Sequence, residues 1–262
     1  MSKLLIGGST AGFFSMFRGT VGTFLIAEQN DLEPIVFWEN TLYNDSPLDN
    51  AWEYYFEQVS DYDTEDDHVK YSSHNILPRE YQTRLEMNRL INKYVKVKGS
   101  IKDSANNIVS ELGEQPLGVH IRMTDKHNCT KHGEPESGRP ISVEMYKQHI
   151  DKNIEDRDSK VFLATDDFLV VGDMIRRYGD RVVTTDSIRS SSDKSVHGDL
   201  KGNNKKKGTE VLIDCLVLSQ CRHIIKGISN VALCSMFWNL DLTCENLNSI
   251  YNKDTREDFV NV

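Results

Sequence analysis

Pro116-Leu117-Gly118-Val119-His120-Ile121-Arg122-Met123-Thr124-Asp125-Lys126 is the stretch on which the reading of this chain turns. Leu117, Val119 and Ile121 alternate with Gly118, His120 and Arg122, the two-residue period of a strand. Past Ile121 come Arg122, Thr124, Asp125 and Lys126, so cations and a carboxylate sit just beyond the strand's end. In open α/β sheets, ligands bind outside the carboxyl ends of the strands. An arginine there offers a rigid fork of donors that suits a phosphate or carboxylate. The expectation is a phosphorylated ligand held against this segment.

Working outward, the second half repeats a strand–loop–helix rhythm. Val143 to Ile154 reads as a helix, and Lys160-Val-Phe-Leu-Ala164 as a buried strand ending in Thr165-Asp166-Asp167. Phe168 to Tyr178 is predicted helical, and Arg181 to Thr185 a further strand. Residues 186–208, rich in Ser, Asp, Gly, Asn and Lys, read as a long loop, with Lys201 to Lys207 a solvated basic run. A helix is predicted at 209–221, a strand at His223–Lys226, and a helix from Val231 to Leu240 entered through Gly227-Ile-Ser-Asn230. The polar tail after Cys244 is expected to pack back across the first half.

The first half opens as β-α-β. Residues 3–6 form a strand, Gly7, Gly8 and Gly12 a tight turn, residues 12–29 a helix, and Pro34 to Trp38 a second strand. The glycine spacing is not G-x-G-x-x-G, so a plain strand-to-helix turn explains it as well as a ligand does. Residues 40–75 read as irregular, with an aromatic helix at 50–56 packing into the core and a solvated acidic run from Asp61 to Asp67. Helices are predicted over 78–97 and 101–112. Gly113-Glu114-Gln115-Pro116 is an interdomain turn, which divides the chain into 1–114 and 115–262.

The 262 residues suffice for one large α/β domain or two small ones sharing a cleft. A net charge of −9 argues against nonspecific nucleic-acid binding, which draws on clustered positive charge. No apolar run approaches the roughly 18 residues of a membrane span. Lys3-Leu4-Leu5-Ile6-Gly7-Gly8 is far too short for a secretory signal and reads as the first strand. The five cysteines are odd in number, and 215, 221 and 234 lie in apolar patterns, so buried free thiols and a reducing, cytoplasmic setting are expected.

Three strand ends carry the chemistry: His120/Arg122/Lys126, Thr165/Asp166/Asp167 and Ser229/Asn230. Strands of one parallel sheet align their carboxyl ends, so the clusters are expected to converge on one crevice. Ser229 and Asn230 are good helix N-caps, and a helix N-terminus also accepts phosphate. Asp214 lies in Val211-Leu-Ile-Asp-Cys-Leu-Val-Leu218, apolar nearly all round, so it requires a partner or a proton. A structural hydrogen bond and a carboxylate accepting from a guanine base explain it equally. Asp166 and Asp167 diverge after a strand and lack a third ligand, so one of them orients Arg122 or meets a ribose, and no metal is expected. His127, Cys129 and His132 match no familiar zinc spacing.

These clusters, in this order, resemble the fucosyltransferase superfamily that contains the α1,6- and protein O-fucosyltransferases. Val119–Lys126, Val161–Asp167 and Gly208–Gln220 continuing to Ser229-Asn230 carry the resemblance, over residues 116–240. It implies a GT-B arrangement of two Rossmann-like domains facing across a cleft, an acceptor side at 1–114 and a nucleotide-sugar side at 115–262. It implies an inverting glycosyltransferase using GDP-fucose as donor substrate, a glycan acceptor, and neither a metal nor another cofactor. By position, Arg122 would hold the donor diphosphate, His120 and Asp214 would lie by the guanine, Ser229 and Asn230 would bind phosphate, and Asp166 and Asp167 would support that shell. Arg122, Lys126 and Asp125 are the candidate catalytic groups. The α1,6-type pattern has a second arginine where this chain has Met123 and a glutamate where it has Thr130, leaving Asp125, Glu134 and Glu136 as candidate bases. A different nucleotide-sugar donor, and a binding protein without catalysis, are the alternative readings.

Overall fold

The computed structural model describes residues 2–61, 68–72, 82–123, 130–131, 134–135, 141–154, 159–190 and 203–253. In the first half, β1 (Lys3–Gly7), α1 (Phe13–Gln29), β2 (Glu33–Phe37), α2 (Trp52–Tyr55) and β3 (His68–Ser72) build a parallel sheet of order β2-β1-β3. β3 falls inside the stretch expected to be irregular. Its polar sequence, with Val69 exposed, suits an edge strand and gives no alternation to read. α3 (Arg84–Tyr94) starts at an N-cap, Thr83 accepting from the Glu86 N–H, and is shorter than the helix expected over 78–97. α4 (Gly99–Leu112) follows.

The second half contains β4 (Leu117–Ile121), the short pair β5 (Thr130–Lys131) and β6 (Glu134–Pro135), α5 (Val143–Asn153), β7 (Val161–Thr165), α6 (Phe168–Tyr178) and β8 (Val182–Val183). α7 (Asn204–Leu218), β9 (His223–Lys226), α8 (Asn230–Trp238), β10 (Thr243–Asn246) and α9 (Leu247–Asn252) complete it. The main sheet is parallel, in the order β10-β9-β4-β7-β8. From β4 the chain steps outward to β7 and β8, then crosses back to β9 and β10 on the other side. That reversal puts a switch-point crevice at the carboxyl ends of β4 and β9, where His120 lies opposite Lys226. Of the tail, the described residues stay with the second sheet: Thr243–Asn246 pairs with β9, and Leu247 packs beneath the same sheet, while residues 254–262 of that expectation lie outside the described residues.

The two faces of this sheet bury different partners. Leu117, Val119, Ile121, Leu163 and Ile225 pack with Tyr146 and Ile150 of α5 and Val170 and Met174 of α6. Phe162, Ala164 and Ile224 face α7 and α8, within a core that continues through α3 and α4 to α1 and the first sheet. Gly118 is needed on that face, because a Cβ would stand 2.8 Å from Ile224 and 3.0 Å from both Cys221 and Leu218. α4 lies against α7, and α1 and α3 lie against α8. Trp238 stacks on Phe17 at 5.0 Å, and Arg84 donates to the carbonyls of Met236 and Leu242 at 2.8 and 2.7 Å. Cys215, Cys221 and Cys234 are buried free thiols, as the sequence predicts. Among the described residues no helix is long and apolar enough to cross a membrane.

Candidate functional site

A cavity opens at the switch point. His120, Ile121 and Arg122 line it from β4, Thr165 and Asp166 from β7, Ser187 and Ile188 from the segment after β8, Lys207, Glu210, Val211 and Asp214 from α7, and Val231 from α8. The strand ends therefore converge as parallel pairing requires, with α7 as the facing wall.

Asp166 fixes the exit from β4. Its Oδ1 accepts the Met123 N–H at 3.0 Å, which holds the backbone beside Arg122 in place. The contact is to the backbone of the residue that follows Arg122. Asp167 does something else: it caps α6, accepting the Leu169 N–H at 2.7 Å, and does not line the cavity. Two adjacent acids thus diverge, one toward the crevice and one onto a helix end.

Asp214 is buried, and its carboxylate accepts from the Thr185 hydroxyl at 2.7 Å. Burial pushes its pKa up to about 7, against the opposing pull of the Thr185 hydrogen bond and the Arg189 charge. Arg189 in turn donates to Thr184 Oγ1 and to the Thr185 carbonyl, both at 2.6 Å, and Glu210 accepts the Ile188 N–H at 2.9 Å. The extended segment after β8 is thereby pinned to α7 as the second wall of the cavity.

At the other end Ser229 caps α8, its hydroxyl accepting the Val231 N–H at 3.2 Å. Just upstream, Gly227 gives room for Tyr146, whose hydroxyl would stand 2.8 Å from any Cβ there. Asn230 accepts at 2.8 Å from Arg18, a residue of α1. A second residue of the first half, Tyr43, lies within electrostatic reach of Arg122. Its buried hydroxyl accepts the Phe13 N–H at 2.7 Å and feels the Arg122 charge, which opposes the upward push of burial on the phenol.

Of the residues singled out in the sequence, the structure brings His120, Arg122, Asp166 and Asp214 into one cavity, with Ser229 and Asn230 at its helix end. Asp125, Lys126, Glu136, His127, Cys129 and His132 lie outside the described residues. Glu134 belongs to β6. Among the described residues no cluster of His, Cys, Asp and Glu has the makings of a metal site.

Lys207 and Glu210 were not singled out as ligand groups. Residues 204–208, expected to be loop, are the first turn of α7, and Lys207 is 4 % exposed rather than solvated. Spacings of three, four and seven residues put 207, 210, 211 and 214 on one helix face. That signal becomes legible once the helix starts at Asn204. It was hidden because a run of Asn and Lys has no apolar period, and contacts with the first half establish the turn. Asn204 donates to the Asn44 carbonyl at 2.8 Å, and the Lys205 N–H donates to Asp45 at 3.2 Å.

No family model and no curated protein matches this sequence. Solved structures do match. The α-1,6-fucosyltransferase NodZ co-crystallised with GDP is 16 % identical with a TM-score of 0.60, covering 91 % of this chain and 92 % of its own. POFUT1 in complex with GDP is 10 % identical with a TM-score of 0.53, covering 93 % and 98 %. A FUT1 mutant from Arabidopsis thaliana in complex with GDP is 10 % identical with a TM-score of 0.53, covering 93 % and 70 %. At these identities the likeness is one of fold. The chain is built on the α/β fold of the fucosyltransferases, with its polar crevice at the switch point of the second sheet.

Proposed function

We propose that this protein is a glycosyltransferase that moves fucose from GDP-fucose to a glycan acceptor, with the donor in the crevice at the carboxyl ends of β4 and β9. The observation that carries this reading is the gathering of Arg122, Asp166, Lys207 and Asp214 with the N-terminus of α8 around one cavity, in a fold shared with GDP-bound fucosyltransferases. In this reading Asp214 and His120 lie by the base, and Arg122 and the start of α8 face the diphosphate. The division into an acceptor side at 1–114 and a donor side at 115–262, facing each other as in GT-B enzymes, belongs to the same proposal, as does a cytoplasmic setting.

Transfer breaks the bond between the sugar's anomeric carbon and the diphosphate as the acceptor oxygen bonds to that carbon. The acceptor's proton passes to a base, and GDP departs with the bonding electron pair. Negative charge builds on the diphosphate, where a fixed guanidinium and a helix dipole lower the barrier without reorganisation. Attack opposite the leaving group inverts the anomeric centre. Asp125 is the base that this proposal names, with Lys126 beside it. Protein cations take the part that a metal ion plays in other nucleotide-sugar sites.

Thermal unfolding with GDP, UDP, ADP and CMP, with and without EDTA, tests the donor. GDP at about 100 times its dissociation constant adds roughly 2.7 kcal/mol of stability. The expected result is stabilisation by GDP, indifferent to EDTA. Stabilisation by UDP and not GDP sinks the fucosyl assignment and favours a different donor. A second reading, a nucleotide-sugar-binding protein without catalysis, draws on Thr130 standing where the family pattern has glutamate. GDP-fucose that binds but is neither transferred nor hydrolysed would establish it.

A further inference from the structure

We infer that Glu210 is a specificity-determining residue for the base, its Oε1 accepting from the exocyclic amino group of guanine while Asp214 accepts from the neighbouring ring N–H. The inference rests on the donor reading above and assigns within it a residue to which the resemblance gives no role.

Glu210 stands one helical turn before Asp214 on α7, and the two line the cavity from the same helix face. Its carboxylate is half engaged. Oε2 accepts the Ile188 N–H at 2.9 Å, which anchors the group to the segment after β8. Oε1 is buried and accepts no hydrogen bond among the described residues. The Lys206 ammonium stands 3.5 Å from it, but the Lys206 side chain is 57 % exposed, so that pair is weak and screened by water. A buried carboxylate oxygen without a hydrogen bond is costly, because it has given up water and gained no donor in return. A donor carried by a ligand in the adjoining cavity removes that cost.

Two carboxylates on one helix face narrow the chemistry of that donor. Burial is the main cause of the raised Asp214 pKa, and the Glu210 charge adds to it, so the two groups are within electrostatic reach of each other. A ligand edge that meets both must present adjacent donors and no acceptor, because an ionised carboxylate only accepts. Guanine does so, with a ring N–H beside an exocyclic amino group. Adenine and cytosine carry a bare ring nitrogen on that edge, and uracil flanks its one ring N–H with two carbonyls. Each sets a lone pair against a carboxylate, and rejection by repulsion discriminates as well as attraction does. The segment after β8 takes part, since Ile188 occupies one Glu210 oxygen and leaves the other for the base.

The test is calorimetric binding of GDP, inosine diphosphate (IDP) and deoxy-GDP to the full chain as wild type, Glu210→Gln and Glu210→Ala. IDP keeps the ring N–H of guanine and lacks only the exocyclic amino group. Wild type should prefer GDP to IDP by roughly 10–100-fold, the range of a hydrogen bond to a charged group. Glu210→Gln keeps the side chain's shape and an oxygen for the Ile188 N–H. It should erase most of that preference by weakening GDP and leaving IDP unchanged. A preference that survives in the variants overturns the inference, and so does an equal loss for GDP and IDP, which would mark a change of pocket shape. A contact of Oε1 with the ribose instead of the base would appear as weaker binding of deoxy-GDP with GDP and IDP alike, and it too overturns the inference. Should Glu210→Gln fail to fold, Glu210→Ala replaces it, and the wild-type comparison of GDP with IDP needs no variant. Wild type that binds neither GDP nor IDP overturns the donor reading and this inference with it, whereas wild type that binds both equally overturns this inference alone.

Discussion

The chain makes the same local structure twice and equips it differently. In each half a parallel strand, β1 or β4, runs out into a polar segment at the carboxyl edge of a sheet. In the first half the described residues at that edge bond and pack against one another. Gly8 leaves no room, with Thr41 Cγ2 standing 2.4 Å from where a Cβ would be, and the Tyr43 hydroxyl occupies the first N–H of α1. Asn50 holds the Trp38 N–H and the Val36 carbonyl, both at 2.8 Å, and Thr20 accepts the Trp38 indole at 3.0 Å. In the second half the corresponding edge is a cavity walled by Arg122, Asp166, Lys207, Glu210 and Asp214. Topology makes a similar edge in both halves, and among the described residues the side chains equip the two differently.

The hardest test of that contrast is Arg122→Ala. If the second edge carries the chemistry, removing its guanidinium should lower transfer or donor hydrolysis by about 10²–10³-fold, by analogy with a lost oxyanion-hole donor. The loss should appear in kcat as well as KM, because the charge it meets develops on the departing diphosphate. Turnover unchanged by Arg122→Ala would place the chemistry elsewhere and erase the distinction between the two edges.

A smaller effect probes the joint between them. Gly208→Ala must push against Tyr55, which is fully buried with its ring edge-on to Phe13 at 4.9 Å. Overpacking of this kind costs about 1–3 kcal/mol, or roughly 2–4 °C of Tm per kcal/mol in a chain of this size. Gly12→Ala, at the mouth of the first-half turn, meets nothing within 4 Å and should be nearly neutral. Paired melting curves check both, and equal Tm values for the two variants would show that α7 does not need its close seat on the first half.

Much of this was legible in residues 116–240. Alternation in Leu117–Ile121, the run Val161–Thr165 and the sequence His223–Lys226 located the central strands to within a residue or two. Their parallel pairing then brought His120, Arg122, Asp166 and Asp214 together. What stayed hidden depends on contacts distant in sequence. Neither Lys207 nor its helical turn shows any period of its own, because Asn44, Asp45 and Tyr55 hold the turn from about 160 residues away. Arg18 reaches Asn230 from α1, which no local pattern announces. Asp166 and Asp167 look alike in sequence, and only the start of α6 at Phe168 separates a group that accepts the Met123 N–H from a helix cap.

The subtlest difference between the two edges lies in what their buried polar groups do with protons. Those of the first half are amides and hydroxyls tied to backbone, and they do not titrate near neutrality. Asp214 does, since burial pushes its pKa up to about 7. Between the ordinary carboxylate value near 3.8 and about 7, the unfolded chain ionises while the folded one keeps its proton, so stability falls as pH rises through that window and levels off above it. Ligand binding should run the other way. If Asp214 meets a guanine base as a carboxylate, binding below pH 7 must release a proton, so GDP affinity should drop by up to about tenfold for each unit of pH below that point and be flat above it. Asp214→Asn should bind more weakly and lose the slope. Calorimetry in buffers of different ionisation enthalpy measures the released proton directly. A flat profile in wild type would leave Asp214 in the part of a structural hydrogen-bond acceptor for Thr185, like the buried polar groups of the first half.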